Sequence, residues 1–206
     1  MKLTCQKSQI NEIINTVQKA VATKTTMPIL ECIKIEAYPD GNIIITGNNN
    51  EICIEYKSNF NVIEGGSIAL SSKMFGEIIR KLPDDEISIN INEDNNITTI
   101  KCGKSEFNIQ GLSAAEYPAV PEVNGTYQFT LKQSLLKKMI RKSSFAAAIN
   151  DIKRPIINGV LFEIDTSVLS MVATDGHRLA LVKEIVDAEL ENKKFVIPGM
   201  TLREIA

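Results

Sequence analysis

The 206-residue chain has no tryptophan, one histidine, four cysteines and only 5% aromatic residues. A single histidine excludes a multi-histidine metal centre. Cys5, Cys32, Cys53 and Cys102 form no C-x-x-C pair and are spaced too widely for a zinc knuckle, so they read as small, partly buried apolar residues. No apolar run approaches the ~18 residues of a membrane-spanning helix, and the opening Met-Lys-Leu-Thr-Cys-Gln turns polar too early for a signal peptide. A reducing, cytoplasmic setting is therefore expected. Glycines are sparse, and neither a G-x-x-x-x-G-K loop nor a G-x-S-x-G or H-E-x-x-H motif occurs. No catalytic constellation, no metal and no cofactor are expected.

What is present is the composition of an ordinary packed protein, with 44% apolar and 23% charged residues and a net charge of −2. That suffices for one large domain or two modest ones. Three segments space their apolar residues as amphipathic helices do. Near 8–21 these are Ile10, Ile13, Ile14, Val17 and Val21; near 72–82, Met74, Phe75, Ile78, Ile79 and Leu82; near 132–142, Leu135, Leu136, Met139 and Ile140. Their polar faces lean to one sign. Lys7, Lys19 and Lys24 oppose Glu12; Lys73, Arg80 and Lys81 oppose Glu77; Lys132, Lys137, Lys138, Arg141 and Lys142 oppose no acid. The rest of this slightly acidic chain must carry the balancing carboxylates. Lysines often populate solvated helix faces, but three helices sharing the bias predict a common positive surface that attracts phosphates without reading bases.

Between the helices lie short alternating runs: Glu31–Ala37, Asn42–Thr46, Glu51–Lys57, Glu86–Asn92, Asn96–Cys102 and Ser105–Gln110. The Asn-rich cluster at 92–96 reads as a hairpin turn. Strands on short loops, with few helices, predict an antiparallel α+β fold rather than βαβ crossovers. Residues 113–125, with two prolines and an Asn-Gly, lack periodicity and read as a linker or boundary. A faint repeat runs through the whole pattern. A shift of 127 aligns Pro28-Ile29-Leu30 with Pro155-Ile156-Ile157, Ile33 and Ile35 with Val160 and Phe162, and Ile68-Ala69-Leu70 with Phe195-Val196-Ile197. A shift of 65 aligns Glu12-Ile13-Ile14 with Glu77-Ile78-Ile79. Each domain then uses a strand-helix-strands unit twice, and the second domain stops about one turn into its second helix.

The one dense polar cluster is Thr174-Asp175-Gly176-His177-Arg178-Leu179, between two strand-like runs. Asp-Gly is a hairpin signal. Asp175 and His177 could act as a base and its orienter in a small hydrolase, but no nucleophile is identifiable. A non-catalytic histidine in a strand-to-strand turn is the stronger expectation. Arg178 followed by Leu179 sets a charge beside an apolar residue, which suits a peptide groove.

Met-Pro-Ile-Leu at 27–30, Asn-Gly-Val-Leu-Phe-Glu at 158–163 and Ala-Thr-Asp-Gly-His-Arg-Leu-Ala at 173–180 resemble the bacterial sliding clamp family, the beta subunits of DNA polymerase III. Leu82-Pro83 and residues 112–118 fit in the same order, and the octapeptide is the most specific part. The resemblance implies a DNA-clamp fold with antiparallel sheets outside and helices inside. It implies a complete domain one at 1–120, a linker at 121–127, a truncated domain two at 128–206 and an absent third domain. It also implies a non-catalytic processivity factor, a homodimer ring closed head to tail around duplex DNA without reading its sequence. Partners would be the polymerase III catalytic subunit, the clamp loader and other proteins with a clamp-binding motif. Without a third domain, the chain alone is not expected to close a ring or stay on circular DNA.

By matched positions the resemblance assigns Ile157, Thr174, Gly176, His177, Arg178 and Leu179 to the partner-peptide cleft. It assigns Lys24, Lys73 and Arg154 to DNA, joined by Lys137, Lys138 and Arg141 from the third basic helix. Phe107 and Ile109 fall at the subunit interface, and Asp175 keeps a turn-forming role. A rival reading, an interaction module of clamp fold without a DNA role, predicts peptide binding but no need for the helix lysines.

Overall fold

Alternating strand residues in Met1–Pro121, the first of two units, pair into two antiparallel sheets. The structure is a computed structural model that describes residues 1–206 except 24, 93, 121–124, 126–128 and 187–191. In chain order the first unit contains β1 (Lys2–Gln6), α1 (Lys7–Val17), β2 (Cys32–Ala37), β3 (Asn42–Asn48), β4 (Cys53–Asn59), β5 (Asn61–Glu64), β6 (Gly66–Ser71), α2 (Ser72–Lys81), β7 (Glu86–Asn92), β8 (Ile97–Cys102) and β9 (Ser105–Gln110). One sheet has the order β5-β1-β7-β8-β9 and the other β4-β3-β2-β6. The apolar stripes of α1 (Ile10, Ile13, Ile14, Val17) and α2 (Phe75, Ile79) bury against the inward strand residues of both sheets to make one core. Each such side chain contributes roughly 1.5–3 kcal/mol.

The two helices of this unit are tied at their ends. Beyond Val17 the chain tightens into a 3-10 turn, Gln18–Ala20, and Gln18 Nε2 donates to the Ser72 carbonyl at 2.7 Å. Gly76 makes the approach possible, since a Cβ there would fall on the Gln18 amide. Ser71 Oγ caps α2 by accepting from the Met74 N–H, and Pro83 follows its C-cap Leu82.

Two departures from the sequence reading have local causes. The strand β4 starts at Cys53 rather than Glu51, because Asn49 Oδ1 accepts from the N–H groups of Glu51 and Ile52 at 2.9 and 2.8 Å. Asn50 takes a left-handed φ of 68° in the same turn, so side-chain bonding withholds these residues from the ladder. The aperiodic stretch after Leu112 begins as part of the first unit. Ser113 caps a 3-10 turn over Ala114–Glu116, and Tyr117 is buried with Leu30 and Ala69. Its hydroxyl lies 3.3 Å from the Cys32 carbonyl and 3.4 Å from that of Thr46, and burial pushes its pKa up. Of the expected linker 121–127, only Gly125 is among the described residues.

The second unit, Glu122–Ala206, contains α3 (Gln133–Ser143), β10 (Gly159–Asp165), β11 (Val168–Thr174), β12 (Leu179–Ile185), β13 (Lys193–Pro198) and α4 (Gly199–Ile205). Its sheet order, β12-β11-β10-β13, reproduces β4-β3-β2-β6 of the first unit; α3, β11 and β12 match α1, β3 and β4 at a shift of 126, a one-residue slip from the expected register, whereas β10 and β13 match β2 and β6 at 127. The 3-10 turn Pro28–Glu31 likewise falls on Pro155–Asn158. The core holds Met139, Ile140, Val160, Phe162, Leu169 and Met171, with the Phe162 and Phe195 rings stacked at 5.4 Å. The fold is α+β with antiparallel sheets.

Three of the four free cysteines are buried and Cys53 is half-buried. Burial, with Glu86 adding to it, pushes the Cys5 thiol up to about 12, so it is an unreactive packing group. Ile109 sits in its own unit's core, whereas Phe107 is 40% exposed on the edge strand β9. Only Phe107 of that pair is open to a contact. Among the described residues no helix is long and apolar enough to cross a membrane.

Candidate functional site

The polar cluster forms the turn between β11 and β12, and its own side chains hold it shut. Thr174 Oγ1 donates to the Arg178 carbonyl at 2.8 Å and accepts from the Gly176 N–H at 3.1 Å. Asp175 Oδ1 accepts from the N–H groups of His177 (2.9 Å) and Arg178 (3.0 Å), and Oδ2 accepts from Arg178 Nε at 3.0 Å. Gly176 has φ +89°, a conformation L side chains rarely adopt. The Asp175 carboxylate is thus given to backbone amides and an arginine, not to the imidazole, and the base-and-orienter arrangement is not formed.

Those hydrogen bonds, the two backbone ones first and then Arg178, lower the Asp175 carboxyl to about 2. A depressed carboxyl stabilises the folded turn at pH values above its ordinary value near 3.9. That contribution fades as pH falls through about 2. The Asp175 carboxyl-carbon resonance should therefore titrate with a midpoint near 2; a midpoint near 4 would show the carboxylate unbonded.

Arg178 is braced on a second side. Its Nη2 donates to the Phe145 carbonyl at 2.9 Å, and its guanidinium lies over the Phe145 ring, 5.5 Å from the centroid. Phe145 comes from the 3-10 turn after α3.

A neighbouring loop is pinned just as firmly. Asn158 Oδ1 accepts from the Asp151 N–H at 2.9 Å, and Asn158 Nδ2 donates to the Asp151 carbonyl at 3.1 Å. The Asp151 carboxylate takes the Arg154 backbone N–H (2.8 Å), Nε (3.2 Å) and Nη2 (2.9 Å), which lower its pKa. Arg154 Nη1 ends 3.1 Å from where a Cβ on Gly176 would stand. Arg154, expected at DNA, thus stands beside the turn and links it to the segment carrying Ile157. Ile152 and Ile156 of that loop and Leu179 and Leu181 of β12 are 92%, 68%, 65% and 52% exposed.

The remaining cations divide by what they touch. Lys73, in the first turn of α2, and Arg80 are exposed and line a groove of about 440 Å³ with Gln18, Thr23 and Ser72. Lys137 and Arg141 are exposed on α3. Lys138 is paired with Glu184 of β12 at 2.7 Å, which lowers the Glu184 carboxyl and pins α3 to the sheet edge. Lys24 lies outside the described residues. Among the described residues no group of three or more His, Cys, Asp or Glu could hold a metal ion. Phe145 and Asp151 were not legible as site residues. The repeat gave no signal for Phe145, because its counterpart in the 3-10 turn after α1 is Lys19.

Residues 1–121 match the family model described as the DNA polymerase III beta subunit, N-terminal domain, and residues 130–206 match its central domain. The chain is 42% identical over 204 residues to a beta sliding clamp of Halalkalibacterium halodurans, covering 94% of this chain and 53% of that protein. Its solved structural relatives include the DNA polymerase sliding clamp of Bacillus subtilis, at 37% identity and TM-score 0.91 over 100% of this chain and 56% of the other. Another is the beta subunit from Thermotoga maritima, at 28% identity and TM-score 0.84, covering 99% and 55% of the two chains. The chain spans about half the length of the relatives it matches.

Proposed function

Because the chain belongs to the DNA polymerase III beta subunit family, the sliding clamps, we propose that it works within a non-catalytic processivity factor. The whole protein would close around duplex DNA with a second copy of itself and tether the replicative polymerase through the cleft at Ile157, Thr174, Gly176, His177, Arg178 and Leu179. The clamp loader and other proteins bearing the same motif would use that cleft in turn. DNA is held by enclosure, with weak attraction to phosphates that leaves the ring free to slide. Phe107 is the residue offered for contact between subunits.

The observation that carries this reading is the set of exposed cations on helices that bury their opposite faces. Lys73, Arg80, Lys137 and Arg141 make no ion pair with any described residue, so they are available to phosphate. Lys24 stays with them by resemblance, whereas Lys138 and Arg154 are held by Glu184 and Asp151.

The test is the salt dependence of duplex binding by the whole protein. Each cation that neutralises a phosphate contributes about 0.9 to the slope of log K against log salt. Alanine at Lys73, Arg80, Lys137 or Arg141 should flatten the slope by about that amount, and Lys138→Ala by less than half of it. Wild-type slopes in all four variants would overturn the DNA role and leave the interaction module standing.

A further inference from the structure

Arg178 is more tightly constrained than an exposed arginine needs to be. Its side chain is 59% exposed, yet Nε is bonded to Asp175 and Nη2 to the Phe145 carbonyl, and its plane covers the Phe145 ring. Of the five N–H donors of a guanidinium, three stay unused by described residues. The next residue in the chain, Leu179, is 65% exposed. Phe145 is equally out of place. Its neighbours Ser144 and Ala146 are buried at 6% and 0%, while Phe145 is 56% exposed.

The internal repeat shows that this arrangement is particular to the second unit. The helices α1 and α3, the 3-10 turns after them and the two corners match at a shift of 126, which sets Phe145 on Lys19, Arg178 on Ile52 and Leu179 on Cys53. Ile52 is only 9% exposed and Cys53 is half-buried. The same backbone thus carries an exposed aromatic under an arginine in the second unit and neither residue type in the first.

We propose that Phe145 is a positioning residue of the peptide cleft, its ring fixing the Arg178 guanidinium so that the free donors meet carbonyl or carboxylate acceptors of a bound peptide while Leu179 takes an apolar side chain. The inference rests on the cleft reading above. A flexible arginine must lose side-chain freedom when it binds, and a guanidinium already seated on an aromatic face has lost much of it beforehand. The ring also supplies a cation–π attraction worth about 0.5–1 kcal/mol at an exposed site.

The experiment uses the whole protein and a fluorescent peptide carrying the clamp-binding motif of the polymerase III catalytic subunit, with affinity read by anisotropy and folding by thermal unfolding. Phe145→Ala should weaken binding by about twofold to fivefold, the cation–π contribution converted to affinity. Phe145→Leu, apolar but without an aromatic face, should bind as weakly as alanine, and Phe145→Tyr should bind like the wild type. The Phe145 carbonyl persists in every variant, so the series isolates the ring, and its exposure limits the fall in melting temperature to a few degrees. Arg178→Ala should weaken binding by more than any Phe145 variant. Wild-type affinity in Phe145→Ala or Phe145→Leu, with Arg178→Ala impaired, overturns the positioning role and leaves the cleft reading intact. Wild-type affinity in Arg178→Ala overturns the cleft reading, and the positioning role falls with it.

Discussion

Phe75→Ala should destabilise the first unit by about 3–5 kcal/mol, the usual cost of emptying an aromatic site in a packed core. Phe75 is fully buried and projects from α2 into the core between the two sheets. Its removal takes away transfer energy and leaves a void lined by isoleucines that sit on strands and cannot all move inward. Amide hydrogen exchange in the whole protein reads the loss directly. The most protected amides of β3 and β8 should exchange at least a hundredfold faster, the factor matching about 3 kcal/mol. A change under about tenfold would mean that the two sheets can close over the gap, contrary to a core held by helix packing.

Gly47→Ala comes next in size and acts by crowding. A Cβ on Gly47 would collide with the backbone carbonyl of Val17 and press on Val21. Backbone cannot yield as a side-chain tip does, so the end of α1 must lift from β3. Overpacking of this kind costs about 1–3 kcal/mol, and the upper end is expected here. Gly103 is the control, with nothing within 4 Å of its Cβ position and φ +55°. Its alanine variant pays only the left-handed backbone cost of about 1 kcal/mol. Denaturant unfolding of both variants ranks them, and equal loss would refute the close-approach argument.

The periodic parts of the chain were legible because burial of one face leaves a pattern in sequence. The helix stripes around Ile13, Phe75 and Met139 and the alternation through Ile33 and Ile35 lie where that pattern put them, except Met74, which was expected on the buried face of α2 and is 52% exposed. The repeat was readable for the same reason, since two copies of a fold must bury the same positions. What the pattern could not carry was side-chain bonding to backbone. Asn49 moves the start of β4 by two residues, and Tyr117 draws the first part of an aperiodic stretch into a core. At the candidate site the turn residues stood out by composition and by resemblance. The braces behind them did not, because Phe145 reaches Arg178 across 33 positions of sequence. Arg154 shows the complementary limit, since sequence supplies a charge but not the carboxylate that captures it.

The Asn48–Ile52 and Thr174–Arg178 corners are one piece of architecture present in duplicate. In the first copy the last position, Ile52, is sealed at 9% exposure, and in the second Arg178 stands open with 59% of its side chain exposed. A duplicated frame allows such division of labour: one corner answers only to folding, so its twin is released to vary with whatever it must recognise.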